Sequence, residues 1–243
     1  WELGFPHALR DALGITPGVA PTLAGVRHEL EHSYNGDVFS QVVFSDSHDT
    51  AANGSVRLND AVTPQNPSSL AARQKTLLAA TVMLSAPGIP MLLQGAEFLQ
   101  EGAFNDWQSL QWAHVDRYHG FVDAHHHLID LRLNHHDNTA GLRADSTAVF
   151  HQDDVNFVIG YHRWDHGGEG DDTIVIVNFS GTHLKEYRLQ LPIAGNWQVR
   201  FNSSWKGYGS DFPEVPIAGI HTGEDRSATI ELAPYMAIIA SRV

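Results

Sequence analysis

The sequence predicts an α/β part followed by an all-β part: the C-terminal part of a (β/α)8 TIM barrel, then an antiparallel β-sandwich. Three observations predict it. The strand-like run Val38–Phe44 ends abruptly in Ser45-Asp46-Ser47-His48-Asp49-Thr50, and polar groups gathered at the end of a strand are where such a barrel presents its chemistry. A second run, Ile89–Leu93, follows a long helical pattern and empties into Gln94-Gly95-Ala96-Glu97-Phe98, the order of a parallel βαβ unit. Beyond about residue 145 the helical periods give way to short period-two runs separated by turns, the pattern of a sandwich. Residues 1–140 are therefore read as one domain and 141–243 as another.

Taken in order, Trp1–Leu3 is strand-like and Pro6–Leu13 is a short helix with Arg10 and Asp11 toward water. Gly14, Gly18 and Pro21 interrupt the chain before a second helix over Thr22–His32. Tyr34-Asn35-Gly36-Asp37 is a turn signal leading into Val38–Phe44. From Asn53 to Pro67 the Gly, Asn, Asp and Pro content predicts a long surface loop, a candidate rim for a site. Ser68 or Ser69 caps the next helix, which runs to about Ser85 with Leu70, Leu77, Leu78, Val82 and Leu84 on a broad apolar face. Pro87-Gly88 stops it. The last helix, Gly120 to about Leu133, is lined by Phe121, Ala124, Leu128 and Leu131.

Strands then follow at Ser146–Phe150, Phe157–Trp164, Thr173–Phe179, Tyr187–Leu191, Trp197–Asn202, Ala228–Leu232 and Met236–Ser241. Three candidate parallel strands fall short of the eight that close a barrel. Further strands are expected before Trp1, and the chain in isolation is expected to expose strand edges and aggregate.

With 243 residues, 42% of them hydrophobic, the chain can bury a sizeable core. Its 28 acidic and 15 basic residues give a net charge of -13, which repels nucleic-acid backbones and anionic membranes. No apolar run approaches the roughly 20 residues of a membrane span. Cysteine is absent, which excludes disulfides and thiolate chemistry. No G-x-G-x-x-G, Walker loop, G-x-S-x-G elbow or basic stripe is present.

His28-Glu29-Leu30-Glu31-His32 satisfies the H-E-x-x-H zinc pattern, but its charge density and the turn that follows argue against a metal site. His125-His126-His127 point around a helix rather than toward one ion, and are read as solvated surface. Trp164, Trp197 and Trp205 are read as core or interdomain residues.

Trp1-Glu2-Leu3-Gly4-Phe5-Pro6-His7, Val42–Asp49, Pro87–Phe98, Leu128-Ile129-Asp130-Leu131-Arg132 and Val175–Ser180 together carry a family pattern. In them the chain resembles the C-terminal half of the alpha-amylase superfamily (glycoside hydrolase family 13), and within it the 1,4-alpha-glucan (glycogen) branching enzymes. The resemblance implies that the first three segments are barrel strands six to eight and their exits, followed by the final barrel helix and the C-terminal sandwich. Asp49 is then the third catalytic carboxylate, which stabilises an oxocarbenium-like transition state, and His48 donates to a hydroxyl of the same sugar. Trp107 is the best stacking candidate, Asn53 and Arg57 belong to the cleft loop (Arg57 as hydroxyl donor or surface charge), and Glu97 lines the cleft floor or supports it.

No cofactor or metal is called for. The nucleophile and general acid are expected upstream, so this chain alone is expected to be inactive. The implied partners are an α-1,4-glucan and the N-terminal remainder of the barrel, in the same protein or an associated chain, with no nucleic acid or membrane. A cytoplasmic or plastid location goes with them. Thr50 departs from the acidic residue or glutamine often found after the pair in branching enzymes. That keeps a hydrolytic, trehalose-releasing or non-catalytic glucan-binding relative as alternatives.

Overall fold

The helical half is built around one long helix and a minimal parallel pairing. In the computed structural model, which describes residues 1–243, α1 spans Gly4–Ala12, α2 Ala24–Glu31, α3 Leu58–Val62, α4 Leu70–Ser85, α5 Ala113–Arg117 and α6 His119–Arg132. Two strands, β1 (Val42–Val43) and β2 (Ile89–Pro90), pair in parallel through Val42↔Ile89 and Val43↔Pro90.

No barrel part is present, which corrects the expected fold. Trp1–Leu3 is not a strand and contributes one amide, from Glu2 to the Val42 carbonyl at 2.9 Å. The run Val38–Phe44 is mostly not extended. The Asp37 carboxylate accepts from Phe39 N (2.9 Å) and Ser40 Oγ (2.8 Å), which stabilises a 3-10 turn over Val38–Ser40 in place of a strand. In the second run, only Ile89 and Met91 donate to the ladder, to Gln41 O and Val43 O, because Pro90 has no N–H.

The expected loop 53–67 contains α3, with Leu58, Asn59 and Asp60 buried. Its partners are distant in sequence: Leu58 N donates to Asp46 Oδ2 (2.9 Å) and Asn59 Nδ2 to Gln100 O (3.1 Å). No local period could reveal them. Helix α4 starts as expected, with the Ser69 hydroxyl accepting from Ala72 N at 3.2 Å. No helix is long and apolar enough to cross a membrane.

The all-β half has eight strands: β3 (Ser146–Asp153), β4 (Val158–Trp164), β5 (Thr173–Asn178), β6 (Leu184–Gln190), β7 (Gly195–Asn202), β8 (Gly219–Thr222), β9 (Ser227–Leu232) and β10 (Ala237–Arg242). Six form an antiparallel sheet in the order β3-β4-β5-β10-β7-β8, and β6 pairs with β9 in a second small sheet. Strand β8 is too short, and too close to glycine and proline, to show a period of its own.

Both faces of the large sheet are covered. Ile174, Ile176 and Ile238 pack with Leu189, Ile230 and Leu232 of the small sheet. On the other face Ile159, Tyr161, Val175, Val177 and Ile239 join one apolar cluster with Leu77 and Leu78 of α4 and Phe5 and Leu9 of α1. The core therefore crosses the border between the two halves.

Two buried arginines close that border. From β4, Arg163 donates through Nη1 to Ser85 O (2.6 Å), through Nε to Ser146 O (3.1 Å), and through Nη2 to Ala144 O. From α6, Arg132 donates through Nη1 to Ala86 O (2.5 Å) and through Nη2 to Gly88 O. Burial lowers Arg132 to about 10 and Arg163 to about 9, so both stay charged at neutral pH. Their charges sit at the C-terminus of α4, where carbonyls lack helical partners and the dipole favours cations.

Candidate functional site

The ends of β1 and β2 lie side by side, and each opens into the polar segment the sequence places after it. After β1, Ser47 N donates to Thr50 Oγ1 (2.8 Å) and Thr50 N to Ser47 Oγ (3.2 Å), closing a tight turn. His48 and Asp49 occupy its outer positions, with side chains 51% and 67% exposed and His48 Nε2 3.4 Å from Asp49 Oδ1. The His48 ring neighbours two aromatic rings, Trp1 edge-on with centroids 5.3 Å apart and Phe104 tilted at 5.8 Å. It lines a groove of about 270 Å³ with Met91, Leu92, Gln94 and Phe104, so the β2 exit forms the opposite wall. Asp49 lines an adjoining groove of about 330 Å³ with His7, Arg10 and Ser55.

A buried polar layer holds this turn from below. Asp46, 5% exposed, pairs with Arg10 Nη2 at 2.8 Å and caps the first amide of α3. Burial pushes its carboxyl above the usual range, while Arg10 and the Leu58 amide pull the other way. Arg10 Nη2 also donates to Val56 O (2.9 Å), tying α1 to the loop before α3. Arg57 is buried and donates to Gln94 O at 3.0 Å, joining the β1 loop to the β2 exit. Burial lowers its pKa, opposed by Asp46, Asp60 and Glu97.

The structure brings His48 and Asp49 together with Phe104 and Trp1, and distributes the other candidates differently. Arg57 is neither a surface charge nor a free hydroxyl donor, because its guanidinium is enclosed and directed at a backbone carbonyl. Glu97 sits in a 3-10 turn, Ala96–Phe98, with Oε2 buried and accepting no hydrogen bond from any backbone amide. Asn53 is exposed at a left-handed turn (φ 54°). Trp107 is 96% exposed on the loop after Phe104 and lines neither groove. Trp1, read as part of a strand, gives the closest aromatic edge to His48, a neighbour no local pattern could reveal.

Two other expectations are corrected, at His125 and at Trp205. His125 is not solvated surface: it is fully buried on α6, with Nδ1 on Phe121 O at 2.8 Å. Glu29 of the H-E-x-x-H segment points inward toward Gly4, while His28 and His32 stack on each other at 5.2 Å. Trp197 is core, as expected, but Trp205 is half exposed.

Comparison with known proteins adds to this geometry. Residues 149–243 match the family profile "Alpha amylase, C-terminal all-beta domain". The 1,4-alpha-glucan branching enzyme GlgB of Mycobacterium ulcerans is 28% identical over 249 residues, covering 98% of this chain and 33% of that protein. The enzyme of the same name from Corynebacterium diphtheriae is 28% identical over 248 residues, covering 93% and 30%. The chain thus spans about a third of the length of these curated relatives.

Among solved structures, the pullulanase of Anoxybacillus sp. LM18-11 complexed with maltotetraose aligns with a TM-score of 0.62 at 20% identity, over 91% of this chain and 30% of that one. Pullulanase type I of Bacillus subtilis complexed with maltose gives 0.60 at 20% identity, over 98% and 31%. At that identity the likeness is one of fold. The all-β half is thus matched as an alpha-amylase C-terminal all-beta domain, and nearly the whole length of the chain is similar to part of the 1,4-alpha-glucan branching enzymes.

Proposed function

We propose that the chain is part of a retaining enzyme acting on α-1,4-glucans, of the branching type. The catalytic barrel is supplied by the rest of the same protein or by an associated chain, residues 1–140 pack against it and lend it the His48–Asp49 pair, and 141–243 form the C-terminal sandwich. The observation that supports this reading most is the exposed His48–Asp49 pair at the end of one of two adjacent parallel strands, beside a groove with aromatic neighbours.

An acidic residue there accepts from sugar hydroxyls and stabilises the positive charge that develops as the glycosidic bond breaks. The imidazole donates to a hydroxyl of the same ring. Exposed Trp107 offers a stacking face further along the glucan. Asn53 stands on the same rim. Arg57 and Asp46 act from beneath by fixing the two exits, not by touching sugar. The covalent chemistry requires a nucleophile and an acid about 5–5.5 Å apart across the scissile bond, which the reading assigns to the upstream strands. Transfer of the glucosyl chain to a 6-hydroxyl then makes the α-1,6 branch.

The test is turnover of amylose by the full-length protein. New α-1,6 linkages without matching new reducing ends are expected, whereas reducing ends without branches would redirect the reading to hydrolysis. Asp49→Asn is expected to lower kcat about 10³-fold and His48→Ala about 10²-fold. An Asp49→Asn protein of undiminished rate would remove the pair from the mechanism.

A further inference from the structure

We propose that the segment joining β7 to β8 builds a second carbohydrate site, for a short run of neutral α-glucan, separate from the grooves at His48 and Asp49. The inference rests on the glucan reading above. Its ground is a cavity of about 500 Å³ that shares no lining residue with either groove. Trp205, Tyr208 and Phe201 form its apolar wall, and Arg200, Glu214 and His127 its polar edge.

The indole of Trp205 is 49% exposed, yet it is held in place. A Cβ on Gly207 would stand 2.4 Å from the ring, so the segment's own backbone lies against the indole, an approach only glycine permits. Tyr208 meets the indole edge-on at 5.0 Å, stacks on Phe201 at 5.3 Å, and shares a 2.6 Å hydrogen bond with His127 Nδ1. The segment is anchored on both sides. Asn202 Nδ2 donates to Val215 O (2.8 Å), Phe212 is buried, and Arg73 pairs with both carboxylate oxygens of Asp211 (2.8 and 2.5 Å). The pocket is therefore largely formed before any ligand arrives, which lowers the ordering cost of binding.

The charges select the ligand class. Glu214 and the net charge of -13 oppose a polyanion, and Arg200 opposes a cation. A purely apolar ligand would cover those groups without pairing them, which is costly. A neutral sugar ring offers an apolar C–H face to the indole and hydroxyls that both donate and accept. Glu214 can accept from one, and the guanidinium of Arg200, oriented by its Nε bond to Ser241 Oγ (2.8 Å), can donate to another. A second hold on a long glucan raises the effective concentration of its other segments at the strand-end groove.

The test is calorimetric titration of the full-length Asp49→Asn protein with maltotetraose, with retention in glycogen-containing gels as a second readout. Trp205→Ala is expected to weaken the site roughly tenfold and to shorten gel retention. Glu214→Gln, on an exposed side chain that does not support the fold, is expected to weaken it by a smaller factor with an unchanged unfolding midpoint. Unchanged affinity in both variants overturns the proposal, even if the unsubstituted protein still branches amylose, and so does a full-length structure with Trp205 covered by its own chain. If the protein neither binds maltotetraose nor acts on amylose, this inference and the glucan reading fall together.

Discussion

His125 shows how one buried side chain ties stability to pH. Its Nδ1 is engaged by Phe121 O, Nε2 is enclosed without a partner, and burial lowers its pKa to about 4. The unfolded chain binds a proton near pH 6.5 that the folded chain refuses until about pH 4. Stability from this group is therefore full above 6.5 and declines as pH falls through that window, by on the order of 3 kcal/mol at the lower end. His127, His151 and His162 are shifted the same way by burial, so they add to the decline with the same sign. His125→Leu is expected to flatten the dependence between pH 6.5 and 4, as measured by urea midpoints across that range. An unchanged slope would exclude His125 as its source. Asp153 acts in the same direction at lower pH: burial raises its carboxyl, but hydrogen bonds from Asn156, Tyr187 and Val155 outweigh it and hold it near 2, so its contribution is lost as pH falls through and below the usual carboxylate range.

Between elements, close backbone approach sets what the joints tolerate. The 3-10 turn Ala140–Arg143 connects α6 to β3, and Gly141 within it lies against β4 and the loop before β5. A Cβ there would stand 2.4 Å from Arg163 O and 2.7 Å from Asp171 O, and neither backbone atom can rotate away. Gly141→Ala is expected to destabilise the protein by about 2–3 kcal/mol, read as a lower midpoint in denaturant. Full stability in that variant would show that the turn can shift without cost. The same turn presents Ala144 O to Arg163, so a displaced turn would also disturb the arginine closure at the end of α4.

For the molecule as a whole, the shared core matters more than the change in texture near residue 145. Ile159, Tyr161, Val175, Val177 and Ile239 face α4 and α1 rather than water, and Arg163 finds its acceptors partly in α4. Residues 145–243 expressed alone would expose that apolar face and leave a buried cation without its α4 partner. The fragment is expected to bind hydrophobic dyes, to lose near-UV dichroism and to self-associate on gel filtration. A monomer that unfolds cooperatively at the midpoint of the whole chain would show that the all-β half needs no support.

Much of this protein is legible in residue order alone. The β half reads correctly because one-sided and two-sided burial both leave runs of Val, Ile and Tyr between turn residues, and the Ser69 cap and α4 rest on local chemistry. The His48–Asp49 motif is likewise visible, since an abrupt change from apolar to polar at a strand end needs no partner to be seen. The length of β1 was legible in principle, because Asp37 competes for the backbone two residues ahead. Other features belong to the tertiary structure alone: α3 capped by Asp46, Arg57 turned inward to Gln94, His125 enclosed and Trp205 exposed. Periodicity states which side of an element is apolar, whereas burial depends on what another part of the chain lays against it, and that information is not local.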